Sequence, residues 1–346
     1  MNPSLPSRTE TVYDLVTNLL DKGYTDTAGA TMNAITANSS KGIVAQRLKE
    51  LDAEAARLNE NQQKLSPDNP VMRATLADFD TILRQNSKLI KETAPDLQRV
   101  GSTAAATLTR ELAVPGVTDA ELARFGVAWN TPDPEAVNAL VGYATSPEWN
   151  AALDKYQKDS GTAVLDVAIR GFVNGLNPRS SARAIRESAE SIPVYQANTL
   201  MRTLHLQSYR DATSFNQQAN ADILEGQVRI GVLDGRICLA CLALHGTLLP
   251  VGQRITDHHN GRCTAVSIVK GRRRDIVTGE QWFGGLTIDQ QRLLAGPANY
   301  EALRQGKVKL NDFVDPYEDP VFKEMMREAS LKKILGDGAA EFYTKR

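Results

Sequence analysis

The segment CLACLALHGTLLPVGQRITDHHNGRC, residues 238–263, contains all three cysteines and three of the four histidines of a 346-residue chain. It begins with a C-x2-C pair, Cys238 and Cys241, and ends with an H-x4-C pair, His258 and Cys263. Zinc prefers four tetrahedral nitrogen or sulfur ligands, and a β-hairpin can bring two such pairs to one ion. The spacing therefore predicts a zinc site formed by these four residues. Because four protein ligands leave no position for water, we expect a structural site.

The alternative interpretation is a pair of buried free thiols beside surface histidines, since cysteine often packs as a small hydrophobic residue. That alternative does not explain why scarce residues are grouped at ligand spacing. His259 competes with His258 as the fourth ligand, because three residues instead of four separate it from Cys263. We interpret His245, which precedes a glycine, as a polar turn residue and not as a ligand.

The same residues also suggest two kinds of catalytic site. Asp-His-His beside a C-x2-C pair is similar to the ββα-metal nucleases, in which a histidine activates water at a metal ion. A cysteine and a histidine can also form a nucleophile pair. Neither site is favoured, because no histidine follows His259 and nothing in the sequence marks an oxyanion hole. We therefore expect no enzymatic activity.

The segments around this window predict a small β-sheet beside long helices. Short β-branched runs predict strands at 228–233, 247–251 and 264–269, joined by loops that carry the cysteines and histidines. Before them, Asn177 and Pro178 predict the start of a short helix that ends before Pro193. A long helix is expected from 194 to about 224. Its predicted buried face consists of Ala197, Met201, Leu204, Ser208, Ala212 and Phe215.

The first part of the chain predicts a helical hairpin over about 43–100, or two helices on a larger bundle. Two apolar stripes with a period near 3.5 residues flank a proline-rich turn. Asn86 falls at a seam position, where a polar residue fixes register. The stripes consist of Val44, Leu48, Leu51, Ala55, Leu58 and Leu65, and of Met72, Leu76, Phe79, Leu83, Asn86 and Ile90.

These patterns together predict an α+β fold that is predominantly α-helical. We expect an irregular run of short helices over 101–165, and helix from Pro320 onward. The predicted domains are a helical N-terminal region (1–168), a domain with the long helix and the zinc-pinned sheet (169–314), and a helical C-terminal tail (315–346).

The charge and hydropathy of the chain exclude some functions. The formal net charge is -1, so bulk electrostatics do not favour a polyanion. The residues Lys270, Arg272, Arg273 and Arg274 form a local basic run that is an alternative nucleic-acid contact, although a solvated turn is favoured. No apolar run approaches the roughly 20 residues that span a bilayer, and the first residues do not resemble a signal peptide. We therefore expect no membrane partner, and reduced thiols in a cytoplasm.

Several fixed spacings resemble one family. Its usual pattern is an Arg-Thr helix start, an Asp-x-Arg-x-Cys-x-x-Cys turn, an Asp/His-Gly step and a closing His-x-x-x-Arg-Cys. The matching residues are Arg202-Thr203, Asp234, Arg236, Cys238, Cys241, His245-Gly246, His258 and Arg262-Cys263. Over about 170–314 the chain resembles the phage Mu F-like head morphogenesis proteins, also called minor head or minor capsid proteins. Many members carry a further cysteine where this chain has Gly261, which makes His258 more necessary if metal is bound.

The resemblance implies a role and not a reaction. Such proteins are present in few copies in the phage head, associate with the portal ring, and assist head assembly, DNA packaging or DNA delivery. We therefore expect a virion protein that is made in the host cytoplasm and binds the portal protein. Capsid or scaffold proteins and packaged double-stranded DNA are further expected contacts. The alternative function is a DNA-binding or DNA-processing protein with a nuclease-like zinc module.

Overall fold

The computed structural model describes residues 7–66, 68–124, 126–174, 176–271 and 276–343. Helices dominate, and two small antiparallel sheets accompany them, which confirms the predicted fold class. The helices are α1 Ser7–Ser40, α2 Gly42–Glu60, α3 Pro70–Ala113, α4 Asp119–Arg124, α5 Pro134–Val141, α6 Pro147–Val173, α7 Pro178–Gln218, α8 Leu239–Leu244, α9 Gly279–Gly284, α10 Ile288–Ala295, α11 Pro297–Arg304, α12 Leu331–Leu335 and α13 Ala340–Tyr343. The strands are β1 Leu224–Ile230, β2 Leu248–Leu249, β3 Thr264–Val269, β4 Val314–Asp319 and β5 Lys323–Glu328.

The chain divides into two compact units. We call one the helical unit; it comprises Tyr24–Leu97 and Tyr143–Leu204. The other, the mixed unit, comprises Met1–Gly23, Gln98–Gly142 and His205–Arg346 and contains both sheets. The cysteines and histidines of the window all lie in the mixed unit.

The helical unit contains the predicted hairpin, formed by α2 and by α3 up to Leu97. Arg47 Nε donates to Asp78 Oδ2 at 2.7 Å, and Asn69 Nδ2 donates to Glu54 Oε1 at 2.9 Å. Arg47 precedes Glu54 along α2, but its partner Asp78 follows Asn69 along the chain. The two helices are therefore antiparallel. The predicted stripe positions that are buried are Val44, Leu48, Leu51, Ala55, Leu58, Leu65, Met72, Phe79, Leu83, Asn86 and Ile90. Leu76 is half-buried.

The hairpin is also part of a larger bundle, so both predicted arrangements occur. Val164 of α6 and Ile185 of α7 line the same small void as Val44 and Phe79 of the hairpin. Asn86 is fully buried, as expected for a seam position, and its Oδ1 accepts from Asn38 Nδ2 of α1 at 2.9 Å. The polar partner of Asn86 therefore comes from α1.

Two helices continue through prolines. The predicted break at Pro193 is wrong, because α7 runs unbroken through it, and α3 runs through Pro95 to Ala113 instead of ending near 100. A proline in a helix removes one hydrogen bond and costs about 3 kcal/mol. Buried side chains on both sides of each proline, such as Ala189 and Ala197 of α7, offset that cost. Packing therefore overrides the local signal.

The starts of α7 and α6 can also be compared with the prediction. Ser180 N donates to Asn177 Oδ1 at 2.9 Å, so the predicted cap at the start of α7 is confirmed. The expectation of only short helices over 101–165 is wrong, because α6 is a continuous helix of 27 residues. Its first residue is Pro147, and a proline is well suited to the first position of a helix.

The three-stranded sheet lies near the predicted positions. β1 is central and pairs antiparallel with β2 on one side and β3 on the other. β3 has the predicted bounds, β1 begins and ends earlier than predicted, and β2 is shorter. Tyr209 of α7 shares a hydrogen bond of 2.9 Å with Thr264 of β3, and Gln217 Nε2 donates to Ser267 Oγ at 3.1 Å. The end of α7 therefore packs along β3.

The predicted helix from Pro320 is wrong at its start, because β4 and β5 form an antiparallel hairpin before α12 and α13. Lys, Glu and Met in β5 favour helix in isolation. The turn is fixed by Asp319 Oδ1, which accepts from Val321 N and Phe322 N, both at 2.9 Å. Met325 and Met326 are buried, so tertiary contacts determine the strand.

Candidate metal centre

The first cysteine pair lies at the start of α8. Cys238 immediately precedes the helix, and its Sγ accepts from Cys241 N at 3.3 Å. Leu239 N donates to Glu328 Oε2 of β5 at 2.7 Å. Both oxygens of Asp234 accept from Arg262 at 2.8 Å, which ties the approach to α8 to the loop that carries the second pair.

The second pair lies on the loop between β2 and β3, and Asp257 shapes this loop. Its Oδ1 accepts from His258 N at 2.9 Å and its Oδ2 from Cys263 N at 3.1 Å. A Cβ at Gly261 would lie 2.2 Å from the Asp257 carboxyl group. The fold thus leaves no room for a cysteine at position 261, where many members of the family that the chain resembles carry one.

The structure brings the two pairs together. The donor atoms of Cys238, Cys241 and His258 all lie within 4.8 Å of one another. The donor atoms of Cys241, Asp257 and Cys263 form a second group within the same distance limit. Cys241 belongs to both groups. All three cysteines are free thiols, and Cys241 and Cys263 are buried. The four residues singled out from the sequence therefore lie close enough to hold a metal ion.

The contacts of the histidines distinguish His258 from the other two. The Nδ1 of His258 donates to the His259 carbonyl at 2.8 Å, which leaves Nε2 as the ligand atom. His259 Nε2 lies 3.4 Å from Asp319 Oδ2, so this side chain interacts with the C-terminal hairpin. The Nδ1 of His245 accepts from Gly231 N at 2.9 Å. His245 lies at the turn after α8, as predicted, and its buried side chain anchors this turn to the end of β1.

The charges within the cluster are strongly perturbed. A hydrogen bond from Cys241 and the neighbouring His258 lower the pKa of the Cys238 thiol to about 5. Burial alone would lower the pKa of His258, but the hydrogen bond with Cys238 and the Asp257 charge raise it to about 9. The hydrogen bond to Cys238 raises the pKa of Cys241. Both pKa shifts favour a negative charge on Cys238 beside a positive charge on His258.

Asp257 is the centre of a buried ionic network that sequence reasoning missed. Arg210 donates to Asp257 Oδ2 at 2.8 Å and, through Nε, to the Cys263 carbonyl at 2.9 Å. Arg229 of β1 lies 3.7 Å from Asp257 Oδ1. Burial alone would raise the pKa of Asp257, but the two arginines hold it below its usual value. The sequence signal that could have indicated this network is the presence of Arg210 and Arg229 within the segments that form α7 and β1.

The residues present fit a metal ion with a preference for sulfur and nitrogen ligands. Three thiols and one imidazole, whose tautomer is set by a backbone carbonyl, are the donor types and the supporting contact typical of tetrahedral sites. Asp257 is less suited to be a ligand, because its oxygens already accept from His258 N, Cys263 N and Arg210.

The structure describes only part of the basic run that was a candidate nucleic-acid contact. Arg272, Arg273 and Arg274 lie outside the described residues. Lys270 is described, and its Nζ donates to the Asp222 carbonyl at 2.5 Å. The nucleic-acid contact expected for these four residues stays a prediction.

No family model, curated protein or solved structure matches the chain. None of the described helices is both long enough and apolar enough to span a bilayer. Any assignment of function therefore depends on the motif residues and on the geometry that they adopt.

Proposed function

We propose that the cluster is a structural zinc site, and that the protein is a phage minor head protein that associates with the portal. The observation that carries the first part is the convergence of Cys238 and Cys241, at the start of α8, with His258 and Cys263, from the loop before β3. Zinc is proposed because it commonly takes three thiolates and one imidazole in closed tetrahedral sites.

A structural role is supported by the contacts of the other motif residues. Asp234 pairs with Arg262, and His245 bonds to the backbone of Gly231. Gly246 has a φ of 84°, and a Cβ there would lie 3.1 Å from Thr278 Cα. Each of these residues supports the local fold around the cluster, which favours a structural role for the motif.

The head-protein role rests on the resemblance, whose motif residues from Asp234 to Cys263 lie in the mixed unit with the cluster. In this proposal the N-terminal helices supply the surface that docks on the portal, and the protein assists head assembly and DNA packaging or delivery. On these helices Ile43 of α2 is an exposed apolar side chain.

Co-expression with the portal protein encoded by the same phage genome tests the head-protein role. We expect the two proteins to co-purify, and we expect the Cys263→Ser variant to co-purify as well, because the docking surface belongs to the N-terminal helices. If the wild-type chain runs alone beside its portal at micromolar concentration, the role is wrong.

Two assays test the catalytic alternatives. Nuclease assays with Mg²⁺, Mn²⁺ and Zn²⁺ should show no cleavage; cleavage that is lost in His258→Ala would assign a DNA-processing site instead. Alkylation by iodoacetamide separates a nucleophile from a ligand. In a zinc site Cys238 should be protected when the metal is bound and react quickly after chelation, whereas a nucleophile would react equally in both states.

A further inference from the structure

The strand β5 contacts both parts of the ligand cluster. Glu328 Oε2 accepts from Leu239 N at 2.7 Å, and Met326 N donates to the Asp257 carbonyl at 3.3 Å. Leu239 and Asp257 are each next in sequence to a proposed metal ligand. The two contacting positions on β5 are two residues apart, which separates them by about 7 Å along the strand. One strand therefore holds the backbone beside both ligand pairs.

The amide of Leu239 depends on Glu328 for its hydrogen bond. Leu239 is the first residue of α8, and the first N–H groups of a helix have no acceptor within the helix. Leu239 is also 1% exposed, so water has little access to replace the carboxylate. A buried amide that loses its acceptor is unfavourable, and the turn must move to find another. The position of this amide therefore follows the Glu328 carboxylate.

This amide belongs to the peptide that joins Cys238 to Leu239. A peptide group is planar, so a hydrogen bond that fixes its N–H also fixes the carbonyl end, which is bonded to the Cα of Cys238. The direction of the Cys238 side chain follows from that of its backbone. Cys238 is half-buried, whereas Cys241 and Cys263 are buried. Packing therefore restrains Cys238 less than the other two cysteines, and hydrogen bonds to its turn matter more.

Core packing fixes the strand from which Glu328 reaches this turn. Met326 is 1% exposed and shares one apolar core with Leu239 and Cys241. Glu328 itself pairs with Val314 of β4 across the antiparallel hairpin. The carboxylate is thus presented from a strand whose position is set by the same core that contains the ligand.

We propose that Glu328 is a positioning residue of the metal centre, whose carboxylate holds the Leu239 amide and thereby orients the Cys238 sulfur. This inference rests on the proposed zinc site. It extends the centre to β5, which follows the segment of about 170–314 that carries the family resemblance. A residue outside the ligand motif thus contributes to metal affinity.

The test is the zinc affinity of the full-length chain, measured by competition with a chromophoric chelator. Glu328→Ala removes the acceptor and should weaken zinc binding about 10-fold, the lower end of the loss typical of groups that support a ligand. Glu328→Gln keeps an acceptor oxygen and should restore the wild-type affinity. Glu324→Ala is the matched control, because Glu324 is exposed on the same strand and its side chain makes no hydrogen bond or ion pair within the part of the chain that the structure describes.

Cobalt(II) bound in place of zinc gives a second readout, because its visible absorption bands depend on the geometry of the ligands. The bands should shift in Glu328→Ala and coincide with those of the wild type in Glu328→Gln and Glu324→Ala. Wild-type affinity and spectrum in Glu328→Ala would overturn the inference, and so would an equal loss of affinity in Glu328→Gln. Loss of the helical circular dichroism in Glu328→Ala would assign this carboxylate to the fold as a whole and overturn it as well. If the wild-type protein binds neither zinc nor cobalt, the proposed zinc site fails and this inference fails with it.

Discussion

Different interactions hold together the hairpin of α2 and α3 and the module, by which we mean residues 224–269 around Cys241. The hairpin buries continuous apolar stripes, and its polar contacts lie mostly at its edges. The module has a short three-stranded sheet, buried charges and a group of free thiols. Apolar burial is tolerant of small changes, whereas a cluster of ligands works only when complete. The two regions should therefore respond very differently to the same kind of perturbation.

The largest expected effect is the removal of one ligand. Structural zinc contributes an apparent binding free energy of about 10 to 16 kcal/mol in zinc-finger peptides at neutral pH. Cys238→Ser or Cys263→Ser should therefore abolish hydrogen-exchange protection over residues 224–269 while the hairpin stays protected. His258→Ala should act in the same way. Equal loss of protection in the hairpin would show that the two regions are not independent.

A cavity made in the hairpin should leave the fold and the zinc content of the module unchanged. Leu51 is fully buried in α2, and Leu51→Ala should lower the free energy of unfolding of the hairpin by about 2 to 5 kcal/mol. Zinc content should not change. Ile43→Ala in the same helix is the matched control, because Ile43 is 64% exposed. Denaturant unfolding followed by circular dichroism, with metal analysis of the same samples, measures both quantities.

A smaller effect is expected from crowding the second ligand loop. Gly261→Ala places a Cβ against the Asp257 carboxyl group, so the loop must shift, at a cost of about 1 to 3 kcal/mol. The shift should also weaken metal binding. Gly235→Ala is the control, because a Cβ there meets nothing within 4 Å. Similar stability and metal affinity of the two variants would contradict the geometry described for Asp257.

The smallest effect should come from the histidine beside the ligand. His259 is 41% exposed and lies 3.4 Å from Asp319. A polar contact at such an exposed site contributes less than about 1 kcal/mol, so His259→Ala should keep both its zinc and its stability. Loss of zinc in His259→Ala, with zinc retained in His258→Ala, would exchange the roles of the two residues.

The same contrast explains which features the sequence could predict. Regular stripes such as Val44 to Leu58 report helix burial directly, and the ligand spacing from Cys238 to Cys263 placed four side chains near one another. Tertiary packing decided the rest. Pro193 did not interrupt α7, and the helix-forming residues of β5 became a strand because Met325 and Met326 pack inward. The partners of Asp257 come from distant segments, so no local pattern marks them.

The zinc site is tested by the metal content of protein purified without chelator, measured together with hydrogen exchange over residues 224–269. We expect one zinc ion per chain, and strands that lose their protection when the metal is removed. Protein that contains no zinc and still protects these strands would show that the three cysteines are core residues and that no metal holds the module.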